Sequence, residues 1–230
     1  MRLSQILKVA MLAMIGIVLT GGSNSFAGEK PRRSMFIVIE NGGVVQDREG
    51  QMHATSSLLG EIAQLRRRKA TRDTQIHIVL TANPTEVSWS GTPQQLFEQG
   101  HAVLERIAFV NTCSDLVRAW AQVDTTRRIT YPDEFDLIGI GPMIHAGFPC
   151  GQGGEISLPQ AAPRELRLGA LAREASRVRL LLVHPDQDEI YLTHLEAAGV
   201  LERARSGELD FDVMDAARTQ AASGAILERK

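Results

Sequence analysis

Hydroxyl, imidazole and carboxylate side chains are the groups whose pairing would amount to catalysis, and here they stand far apart along the chain. Ser56 and Ser57 follow the first strongly apolar run, whereas His145 and His184 follow later ones. A serine hydrolase needs such a hydroxyl within hydrogen-bond reach of a histidine, with a carboxylate orienting the ring. An exported hydrolase using an irregular Ser/His/Asp set, with His145 or His184 as base, is therefore one reading of function. The Gly-x-Ser-x-Gly turn that usually exposes a serine nucleophile is absent from the sequence. The six histidines are scattered, without the His-Glu-x-x-His or paired-cysteine spacing that zinc requires, so no metal and no other cofactor is expected. Gly151-Gln152-Gly153-Gly154 leads into Glu155 and a proline-rich stretch instead of a helix start, which suits a flexible connection better than a phosphate cradle.

Elements that would position these groups can be read from the apolar pattern. Met35-Phe36-Ile37-Val38-Ile39 is apolar throughout, as a strand covered on both faces should be, and stops at the turn Glu40-Asn41-Gly42-Gly43. Further strands are expected at Gln75 to Thr81, Phe135 to Gly141 and Val178 to Val183. Helical spacing predicts helices over 56–69, 92–99, 112–123, 164–176, 189–205 and 213–222, with Ala102 to Val110 open to either assignment. The cationic end Arg66 to Lys69 suits the carbonyl end of its helix. The stretch from Phe148 to Pro163 reads as a long loop. Strands separated by helical segments imply a three-layer α/β fold with a mostly parallel central sheet and helices on both faces. In such sheets ligands sit beyond the carboxyl ends of the strands, which points to the loops after Ile39, Leu80, Ile140 and Val183.

Residues 1–27 have the layout of a secretory signal peptide. Arg2 and Lys8 precede an apolar stretch from Val9 to Leu19, and Ser25-Phe26-Ala27 offers small residues for cleavage before Gly28. The apolar stretch is shorter than the roughly 20 residues a spanning helix needs, so no integral membrane association is expected after cleavage. The expected division is a signal peptide at 1–27, a polar lead segment at 28–34 and a single α/β domain at 35–230. The chain carries 25 basic and 27 acidic residues, a formal net charge of −2; that balance offers no general attraction to nucleic acid. An oxidising exported or periplasmic location would let Cys113 and Cys150 pair, closing a loop of about 38 residues worth roughly 3 to 4 kcal/mol in the chain-entropy picture.

Three segments carry a family likeness. Glu40-Asn41-Gly42-Gly43 follows the first strand, Thr112-Cys113-Ser114-Asp115-Leu116 opens a helix, and Gly139-Ile140-Gly141-Pro142 ends a later strand. Their order resembles a von Willebrand factor type A (vWA-like) domain, in which Asp-x-Ser-x-Ser, Thr-Asp-Leu-like and Thr-Asp-Gly segments together bind a divalent cation. The resemblance implies a vWA-like or Rossmann-like topology and a binding rim of Glu40, Asn41, Gly42, Gly43, Ser114, Asp115 and His145. It implies no intact metal site, since only Glu40, Ser114 and Asp115 stand at matching positions and a hard cation needs more oxygen ligands. It also puts Cys113 and Cys150 on one rim, where a disulfide would hold the loops in place of a metal. The leading expectation is thus an exported protein-interaction module without catalysis, binding a protein partner through that rim.

Overall fold

A strand that is apolar at every position must be covered on both faces. β1 (Arg33–Ile39) meets that demand, with Met35 to Ile39 no more than 2% exposed. Phe36 and Val38 enter one core with Leu116, Trp120, Leu180 and Leu195. Met35, Ile37 and Ile39 enter the opposite core with Leu58, Ile62, Leu96 and Val103. The alternation follows from the two-residue repeat of a strand. The structure is a computed structural model and describes residues 31–147 and 158–228. The expected signal peptide, the start of the lead segment and Cys150 with the loop around it lie outside the described residues.

With β2 (Gln75–Leu80), β3 (Trp89–Gly91), β4 (Glu134–Ile140), β5 (Arg177–Leu181) and β6 (Asp210–Met214), β1 forms a six-stranded sheet in the order β3-β2-β1-β4-β5-β6. β1 pairs in parallel with β2 and β4, and β5 with β4 and β6. β3 runs antiparallel to β2. The α/β class expected from sequence is found, with a mixed sheet. Two strands escape the sequence reading for different reasons. β3 is only three residues long, too short to show a repeat. β6 overlaps only the start of the helix predicted over 213–222 and otherwise falls where no element is expected, because its alternation of Leu209, Phe211 and Val213 sits directly before a short helical stretch.

Helices start where side chains satisfy their first backbone N–H groups. α1 (Arg48–Gln64) begins earlier than predicted because Asp47 accepts from the Gly50 N–H at 2.9 Å. α2 (Pro93–Arg106) unites the short helix and the ambiguous stretch, opened by a reciprocal cap between Thr92 and Gln95. α3 (Leu116–Thr130) is capped by Asp115 and α7 (Ala216–Ala221) by Asp215. Only α4 (Leu168–Ala172) forms within the helix expected over 164–176. α5 (Pro185–Ala197) and α6 (Val200–Arg205) replace one predicted helix, split by Gly199 at φ +76°.

Arg179 is an interior arginine on β5, 1% exposed. Its guanidinium lies 2.6 Å from Asp210 Oδ1 and donates to the carbonyls of Ile226 and Glu228, tying the last described residues to the sheet. Burial alone would raise the Asp210 pKa, but hydrogen bonds from Arg177 and Arg179 outweigh it and hold the carboxyl below its ordinary value. At the β6 edge the Val183 N–H bonds the Met214 carbonyl, so the neighbouring Val213 carbonyl faces away from β5. Arg218 donates to that carbonyl at 2.5 Å and pairs with Asp212 at 2.6 Å. Removing one member of a buried ionic cluster strands the others, so Arg179→Ala should lower stability by about 3 kcal/mol in urea unfolding. A loss under about 1 kcal/mol would show that the clamp is dispensable.

Candidate functional site

The chain passes from β1 to β2 on one side and returns to β4 on the other, so the crevice outside β1 and β4 is the switch point of the sheet. Glu40 stands there, directly after β1, and is 0% exposed. Ser114 Oγ donates to its Oε2 at 3.1 Å, and the Met143 N–H donates to its Oε1. Ser114 Oγ also lies 2.8 Å from Thr81 Oγ1, which accepts from the Asn41 N–H at 3.3 Å. Asn41 in turn donates to the Ala108 carbonyl at 2.9 Å and accepts from the Ala82 N–H at 3.0 Å. Ser114 and Ala146 exchange backbone hydrogen bonds at 3.0 and 2.9 Å. One carboxyl therefore ties together the loops after β1, β2 and β4 and the start of α3.

Close packing around Glu40 dictates two glycines. A Cβ at Gly42 would lie 2.7 Å from the Cys113 carbonyl oxygen, and one at Gly141, where φ is +137°, would lie 2.5 Å from Glu40 Cβ. Burial drives the Glu40 pKa from 4.5 up to about 8, with the Met143, Ser114 and Ile144 donors offsetting only part of the rise. Tyr191 on α5, 1% exposed, has its phenol pKa raised by burial first and by the Glu40 charge second. Its hydroxyl has no hydrogen-bond partner among the described residues.

Beside this sealed network lies an open groove of about 500 Å³. Val44 to Asp47 and Gln51 line it from the β1 side, Pro142 and Ile144 from β4, Leu182 to Pro185 from β5 and Asp215 to Ala217 from β6, with Leu158 alongside. Val44, Val45 and Ile144 form a small apolar cluster of their own, packed against Phe109, Ala146 and Leu158. A larger cavity, about 690 Å³, lies at the opposite ends of the strands. Its charged lining is largely consumed internally, with Arg33 at 2.8 Å from Glu134 and Arg177 at 3.4 Å from Asp136. The groove is the better candidate because the exposed Gln46, Asp47 and Asp215 to Ala217 stand around apolar walls of Val44, Val45 and Ile144, whose side chains are themselves largely buried.

The residues expected to form a binding rim are brought together, but most are inside it. Glu40, Asn41, Gly42, Ser114 and Asp115 are buried, Gly43 is exposed and His145 is half-buried. Asp115 caps α3 by accepting from the Arg118 N–H at 2.9 Å, and His145 Nδ1 lies 3.9 Å from its Oδ1. Burial lowers the His145 pKa, opposed by the Asp115 and Glu165 charges. Cys113 lies in the described segment just before α3, and Cys150, its expected partner, lies outside the described residues. The groove residues themselves were not legible as a site, although Val44-Val45 directly after a glycine pair is an apolar signal in a turn.

Among the described residues, neither Ser57 nor Ser114 is hydrogen-bonded to His145 or His184. Ser57 Oγ lies 2.6 Å from Ser223 Oγ, His184 Nδ1 accepts from the Asp186 N–H at 3.2 Å, and Ser114 is committed to Glu40 and Thr81. A Ser/His contact occurs elsewhere, His77 Nδ1 to Ser90 Oγ at 2.8 Å, but these are opposed residues of the β2–β3 ladder, and no carboxylate bonds the buried His77 Nε2. Among the described residues no three His, Cys, Asp or Glu side chains converge as a metal-binding group. No helix among them is long and apolar enough to cross a membrane.

No family model matches the chain, and no curated protein does. Solved structures do. The pilus adhesin SpaC from Lactobacillus rhamnosus GG matches with a TM-score of 0.52 at 10% identity, over 84% of this chain and 30% of that one. The PilB minor pilin from Streptococcus sanguinis matches with a TM-score of 0.42 at 8% identity, over 86% of this chain and 60% of that one. Three N-terminal domains of a type V pili tip protein from Porphyromonas gingivalis match with a TM-score of 0.35 at 9% identity, over 47% of this chain and 19% of that one. The chain thus spans less than two thirds of each of these proteins, and the SpaC likeness is one of fold. The expected vWA-like identity is not upheld: the structural neighbour above is a pilus adhesin and the sheet is mixed through β3. The motif segments that carried the likeness serve instead as the buried seam around Glu40.

Glu40 gives the fold a pH dependence whose sign follows from its raised pKa. Below 4.5 the carboxyl is protonated in both folded and unfolded chains; as pH rises toward about 8 the unfolded chain releases the proton and the fold retains it. Stability should therefore fall across that window, by up to about 1.4 kcal/mol per pH unit from this group. Urea unfolding of Glu40→Gln, which keeps the shape of the neutral acid, should lack this component. Parallel pH profiles for the two proteins would show that Glu40 titrates in the fold as it does in the unfolded chain.

Proposed function

We propose that the chain is an exported, noncatalytic binding module of pilus-adhesin-like fold, and that its groove receives a segment of a protein partner. The observation that carries this reading is the open apolar groove lying across the carboxyl ends of the strands, beside a network whose polar groups are spent on each other. Rigid loops held by backbone bonds present such a surface with little ordering on binding. The fold likeness to a pilus adhesin supports the same reading. Within it, residues 1–27 are removed before Gly28, residues 28–34 lead into a domain over 35–230, and Cys113 pairs with Cys150 across the rim. Gly43 and His145 remain the rim positions open to a partner, while Glu40, Asn41, Gly42, Ser114 and Asp115 hold the rim's shape.

A photoreactive Gln46→p-benzoylphenylalanine variant should crosslink a protein in the exported fraction, and the same group at Thr125, on α3, should not. Adding Ala217→Trp, an exposed position on the groove wall, should abolish the product without changing thermal stability. Crosslinking that ignores Ala217→Trp would place the partner elsewhere. Nonreducing peptide mapping of exported protein should recover a single Cys113–Cys150 peptide, and two alkylatable thiols would count against the bridge.

A further inference from the structure

Resting on the binding-module reading, we propose that the groove selects an extended segment of about four apolar residues flanked by lysine or arginine. The length follows from the sheet. Lining residues come from the loops after β1, β4, β5 and β6, and three interstrand steps of about 4.8 Å span about 14 Å, the reach of about four extended residues. The middle of that path is apolar, with Val45, Ile144 and Leu182 on its walls.

Both ends are acidic. Asp47 enters from the β1 side and Asp215 from the β6 side, and both residues are exposed. Their capping bonds to Gly50 and Arg218 engage Oδ1 in each case, and a carboxylate accepts through both oxygens. No lysine or arginine lines the groove among the described residues. The nearest basic residues in sequence are turned to other work: Arg48 donates to Asn111 Oδ1 and lies over the Phe109 ring, and Arg218 pairs with Asp212. His184, the other titratable lining group, takes the Asp186 N–H on Nδ1. A cationic residue at either end of a bound segment meets a carboxylate, and an acidic one meets a like charge.

Fluorescein-labelled Lys-Val-Ala-Leu-Val-Lys and its Glu-flanked counterpart test this by anisotropy at about 50 mM salt, where exposed charges are weakly screened. The Lys-flanked peptide should bind about tenfold tighter. Asp47→Asn with Asp215→Asn should weaken it about fivefold and leave thermal stability nearly unchanged, because asparagine caps helices as well as aspartate does. Ala217→Trp should block it. Equal binding of both peptides, each blocked by Ala217→Trp, would keep the groove as the site and overturn its charge preference. If neither peptide binds while Gln46 still crosslinks a partner, the occupant is of another chemistry and the proposal falls alone. If neither binds and Gln46 crosslinks nothing, the binding-module reading falls with it. A dimer dissociated by Ala217→Trp in sedimentation would seat a second copy of the chain there instead, and would also overturn the proposal.

Discussion

Taking the Glu40 carboxyl out of water is the constraint around which one end of the molecule is arranged. A buried carboxyl is tolerated when it is neutral or well supplied with donors. Ser114 and Met143 supply them from two separate connections, so those connections are fixed relative to β1 and to each other. Thr81 and Asn41 extend the same chain of bonds to the loops after β2 and before α3. The glycines at 42 and 141 follow from how closely the backbone must approach for this to work. Met143, at φ 57° and fully buried, adds a backbone conformation that only surrounding structure can enforce.

Such an arrangement divides the end of the sheet into two zones. In one, around Glu40, Ser114, Thr81 and Asn41, polar groups are engaged with one another. Where Val44, Val45 and Ile144 gather, apolar surface is held in place by the very loops that the polar zone fixes. Rigidity and openness are therefore produced by the same set of contacts.

The sequence was informative in proportion to how local the determining physics is. The doubly apolar run at 35–39 announced the central strand, since no half-exposed strand could carry it. The gradient of apolar spacing found β2, β4 and β5 to within a residue or two. Asp47 and Asp215 failed to register as caps because the apolar pattern after each is diluted by polar residues, and β6 failed because five residues of alternation merge with a helical stretch. The site was harder for a different reason. Glu40 was singled out in a surface turn, and nothing in the residue types around it reveals that residues 40, 81, 114 and 143 would meet in the interior. That convergence depends on strand order, which local pattern does not encode. The family likeness failed at the same point: matching residue types at matching intervals did not carry the matching role.

One edge of the sheet bears on how many such molecules can come together. The outward carbonyl of Val213 is already held by Arg218, and the opposite margin is the three-residue β3. Each border is thus blunted as a template for another strand, one by a side chain on its carbonyl and the other by its shortness. Joining copies in series by extending the sheet is hindered at both borders, which favours side chains at the loop end as the points of contact. Side-chain contacts at the loop end would distinguish between partners in a way that backbone pairing does not.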